Sequence, residues 1–133
     1  MTLAQAETVL VNRLKPILYA SDISLTSDVD TTPRTYLADP IATGLHAIGR
    51  WAADPTAPTT TEVAEVPNGR MSRAFLDFAE LRLMETAAHW FTEVNFRQLE
   101  HGRDYAQFRQ DLMVRIESKR KQVREDYPNF VGC

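Results

Sequence analysis

Apolar residues recur along this chain mainly at helical spacing, and they do so most densely between positions 72 and 101, a run without proline or glycine. One stripe there reads Leu76, Ala79, Leu83, Ala87, Trp90, Val94 and a second reads Phe75, Phe78, Leu81, Met84, Ala88, Phe91. Together they occupy more than half of a helix circumference. The spacing predicts one long helix, bounded by Pro67-Asn68-Gly69 and by Gly102, and covered by other helices on two sides or by another chain.

The flanking segments predict shorter helices. Thr2 and Gln5 stand at capping-box spacing ahead of Leu3, Ala6, Leu10, Leu14, Ile17 and Leu18, which gives a first helix over 3–19, bent or ended near Lys15 by Pro16. Residues 21–38 are rich in Ser, Thr and Asp and read as a loop with one short strand at 23–25. Asp39-Pro40 suits an N-cap followed by a first helical proline, and Ile41, Leu45, Ile48 and Ala52 form a stripe that Asp54-Pro55 ends. Gly44 and Gly49 inside that stripe suggest either close approach of another helix backbone or packing that tolerates the loss.

Residues 54–70 carry three prolines and four threonines with no helical period. They read as a long loop in which 61–66 alternates like the edge of a β-ribbon. Such a segment is either a surface loop or one that pairs with a neighbouring subunit, loose in the isolated chain and ordered in an assembly. Beyond Gly102, the line Tyr105, Phe108, Leu112, Ile116, Val123 predicts a last helix over 104–126, interrupted at Lys119 and stopped by Pro128. Its short connection to the long helix predicts an antiparallel pair. The fold class is therefore all-α: one domain, 1–133, a helical bundle with a long central helix, two shorter N-terminal helices, a loop excursion 54–70 and a short tail 127–133.

Composition narrows function mostly by exclusion. With 44% hydrophobic and 25% charged residues the chain has a globular make-up. Its formal net charge of -3 argues against a protein devoted to neutralising nucleic-acid phosphates. The single cysteine, Cys133, cannot close an internal disulfide, and no apolar run approaches the roughly 20 residues of a membrane span. The expectation is a soluble intracellular protein, or one assembled inside a cell.

Candidate chemistry is sparse. Glu85, His89 and Glu93 follow one another at i, i+4 on one helix face, where two carboxylates beside an imidazole suit a divalent metal or acid–base work. The Glu-x-x-His spacing and second copy that di-iron bundles use are missing, and a solvated polar edge is the preferred reading. No nucleophile elbow, phosphate loop or dinucleotide glycine pattern occurs, so neither catalysis nor a cofactor is expected. The basic residues Arg115, Lys119, Arg120, Lys121 and Arg124 suit the C-terminal half of a solvated helix, or contact with an acidic partner or with nucleic acid.

The order of parts, with VNRLKPIL in a short first helix, ADPIATGLHAIGRWA in a one-sided second, a Pro/Thr-rich excursion, the long helix, a last helix and the tail DYPNFVGC, resembles the head–tail connector (adaptor) proteins of tailed bacteriophages. The resemblance implies a ring, usually twelve-membered, in the virion neck between the portal protein and a tail or stopper protein, around the DNA exit channel. It implies no sequence-specific nucleic-acid contact and no membrane. On this chain the family's protruding loop falls on 54–70, with Thr61, Val63, Glu65 and Val66 facing a neighbouring subunit. The portal-docking tail falls on the end of the last helix and beyond, with Arg124, Tyr127, Phe130 and Val131. A competing class is a small cytosolic protein-binding module that homodimerises through its long helix.

Overall fold

In the computed structural model, residues 1–20, 35–98 and 105–128 are described, with side chains at 1–14, 37–88 and 109–128. Five helices follow in order: α1 Leu3–Ala20, α2 Thr35–Ala47, α3 Thr60–Ala64, α4 Arg70–Gln98 and α5 Tyr105–Asp126. No strand occurs among the described residues, and the strand expected at 23–25 lies outside them.

The longest helix, α4, has 29 residues, about 43 Å at 1.5 Å per residue. Every residue from Ala74 to Glu80 is buried, which a helix achieves only when neighbours surround it. α1, α2 and α5 all pack on it. The two expected stripes are both used: Phe75, Ala79, Leu83, Met84 and Ala87 are in the core together with Leu10 and Leu14 of α1, Leu37, Ile41 and Leu45 of α2, and Leu112, Ile116 and Val123 of α5. Contacts between α4 and α5 run from Arg70 with Asp126 to Glu85 with Arg120, so numbering rises along one helix as it falls along the other. Trp90, expected in this core, lies beyond the described side chains.

The ends of the helices show which local signals operate. At α1 the Thr2 hydroxyl accepts from the Gln5 N–H at 3.1 Å while the Gln5 side chain accepts from the Thr2 N–H at 2.9 Å, the expected reciprocal cap. α1 continues past Pro16 to Ala20, so the helix does not stop there. α2 begins at Thr35 with Pro40 inside it, which corrects the start expected at Asp39. Leu37, Ala38 and Ile41 are all buried against α4, and that burial outweighs the one backbone hydrogen bond Pro40 cannot donate. Asp39 instead accepts from Arg82 of α4 at 2.6 Å.

The two glycines of α2 differ in their work. A Cβ at Gly44 would stand 2.6 Å from the Phe75 carbonyl oxygen, so this glycine is what lets α2 and α4 touch. Gly49 has φ 81° with open space around it. It ends α2: its N–H bonds the His46 carbonyl and the Arg50 N–H bonds the Leu45 carbonyl, both at 2.9 Å, the double hydrogen bond of a glycine-terminated helix. Gly44→Ala should therefore destabilise the fold by about 1–3 kcal/mol, measured by chemical denaturation, although alanine is intrinsically the better helix former.

Within the excursion 54–70, residues 60–64 form a capped turn of helix, α3, in place of the β-ribbon edge expected at 61–66. Thr59 accepts from the Glu62 N–H at 3.2 Å and Glu62 accepts from the Thr59 N–H at 2.8 Å, while Glu62 also accepts from the Ala53 N–H at 2.7 Å. These bonds hold the Glu62 carboxyl below its ordinary range, the Ala53 N–H contributing most. Val63 and Val66 then turn into the core of the same chain, and the Leu3 N–H reaches the Thr60 hydroxyl at 3.3 Å.

Candidate functional site

Two acids lie inside the apolar face of α4. Asp77 and Glu80 are each only 8% exposed, a costly placement unless their charges are met. Lys119 of α5 meets both, at 3.0 Å from Asp77 and 2.5 Å from Glu80. Arg13 of α1 approaches the same pair at 3.3 Å and 3.9 Å. The Tyr127 hydroxyl, just past α5, donates to the other Asp77 oxygen at 2.6 Å. One carboxylate of α4 thus holds α1, α5 and the segment leaving α5.

The end of α5 is fixed further by Arg70, which donates to the Asp126 carbonyl at 2.9 Å and lies 6.0 Å over the Tyr127 ring. Phe78 supports that ring from α4, with centroids 6.0 Å apart. Burial alone would raise the Asp77 carboxyl, but hydrogen bonds from Tyr127 and Lys119 and the lysine charge leave it below the ordinary value. The Tyr127 phenol is pushed up to about 12, first by burial and then by the carboxylate it donates to.

This makes a titration prediction. A raised phenol favours the protonated form in the fold, so its stabilisation is complete below the ordinary tyrosine value of about 10 and disappears as pH climbs toward about 12. Absorbance titration of tyrosinate should show one of the four tyrosines ionising late, and Tyr127→Phe should abolish that late step.

A groove of about 500 Å³ opens on another side of α4, between α2 and α5. Ala47, Phe78, Leu81 and Val123 give it an apolar floor, and Thr43, His46, Arg82, Glu85, Glu117, Arg120 and Arg124 stand around it. Arg120 bonds Glu85 at 2.6 Å and Glu117 at 2.5 Å, and Arg82 is taken by Asp39. Beyond the end of α2, and outside the groove lining, the Trp51 ring lies tilted against His46 with centroids 3.9 Å apart, yet Trp51 remains 73% exposed.

The residues singled out from sequence fall into different places. Glu85 is committed to Arg120, whereas the side chains of His89 and Glu93 lie outside the described residues. Among the described residues no three His, Cys, Asp or Glu side chains gather as a metal site. The basic set of α5 is divided: Lys119 and Arg120 are held by carboxylates of α4, while Arg115, Lys121 and Arg124 are exposed. In the excursion, Thr61 and Glu65 are exposed whereas Val63 and Val66 are buried within the chain. Of the tail residues, Arg124 is exposed and Tyr127 is buried on Asp77, while Phe130 and Val131 lie outside the described residues. No family model, no curated protein and no solved structure matches this chain. No helix among the described residues is long and apolar enough to cross a membrane.

Proposed function

We propose that this protein is a structural assembly subunit, a head–tail connector that forms a ring between a phage portal and its tail or stopper, and that it is not an enzyme. The observation that carries the reading is the way α4 is used: enclosed from Ala74 to Glu80 and cross-linked by ions to α1 and α5. Charged groups that elsewhere perform acid–base chemistry are here spent on holding helices in register. A helix enclosed and cross-linked in this way suits a subunit that must keep its shape while neighbours and partners attach to its surface.

In this reading Thr61 and Glu65 contribute to the contact between neighbouring subunits, and Arg124, Phe130 and Val131 to docking on the portal, with Tyr127 fixing where the docking segment starts. The ring is twelve-membered, sits in the virion neck and uses no cofactor. The exposed Met113 and Val114 of α5 favour a second reading, a protein-binding module that dimerises. A dimer through α4 would have to use its C-terminal half, because residues 74–80 are already covered. Light scattering on the eluting protein separates the two: a connector runs as a monomer alone and enters a large particle with its portal, whereas a stable dimer unaffected by portal overturns the connector reading.

A further inference from the structure

We draw no further inference here: the strongest candidate, the exposed patch of Met113 and Val114 on α5, is apolar surface for which nothing in the structure shows what covers it.

Discussion

Asp77→Ala is expected to cost about 3–5 kcal/mol of folding stability, the scale for breaking a buried ion pair. The side chain accepts from Tyr127 at 2.6 Å and faces Lys119 at 3.0 Å and Arg13 at 3.3 Å. Removing it strands a buried hydroxyl and leaves two cations to share Glu80. The cost comes from those abandoned partners, so Asp77→Leu combined with Lys119→Met should be less damaging than the sum of the single changes. Chemical denaturation of the four proteins decides this. A loss below about 1 kcal/mol for Asp77→Ala would make the cluster an ordinary surface network.

The same group sets an acid limb. Because its folded value is depressed, its stabilisation is present above the unfolded aspartate value of about 3.9 and is lost as pH falls through the folded one. Asp77→Asn should flatten the stability profile in that acid window while leaving the alkaline limb of Tyr127 recognisable.

Phe75→Ala is the second large effect, about 3–5 kcal/mol by the usual cost of deleting a buried aromatic ring. The ring is fully buried and lies directly beneath Gly44, where a Cβ would meet its Cδ1 at 2.8 Å. On the Gly44 side no side chain stands ready to fill the space, since that position carries no Cβ. Trp51→Ala supplies the contrast. Its ring is 73% exposed and, among the described residues, pairs with the His46 ring, so folding should change by no more than about 0.5 kcal/mol, and equal losses at the two sites would contradict the assignment of core and surface.

Much of this architecture is legible in the periodicity, because burial of α4 on several faces leaves apolar residues on more than one stripe. The break at Lys119 is also legible in hindsight: a lysine occupying a core position of α5 calls for buried acids opposite, and Asp77 and Glu80 sit three apart within the apolar run of α4. Sequence spacing alone does not say which acids answer it. At Pro40 the local signal misleads, because burial of Leu37 and Ala38 extends α2 past a residue that normally starts a helix. In the excursion the prolines and threonines hide a readable sign, Thr59 and Glu62 at capping-box spacing. The groove and the exposed Trp51 leave no trace in the pattern, since a tryptophan near apolar residues reads as a core or interface anchor until its surroundings are known.

The proposal of a ring subunit is tested most directly by electron cryomicroscopy of this protein mixed with a tailed-phage portal, the partner proposed for it. The account predicts a closed ring of this protein coaxial with the portal, with α4 enclosed as it is in the single chain and Thr61 and Glu65 at the contact between neighbours. Portal particles that carry no added ring at saturating protein, with the chain remaining free in solution, would contradict it.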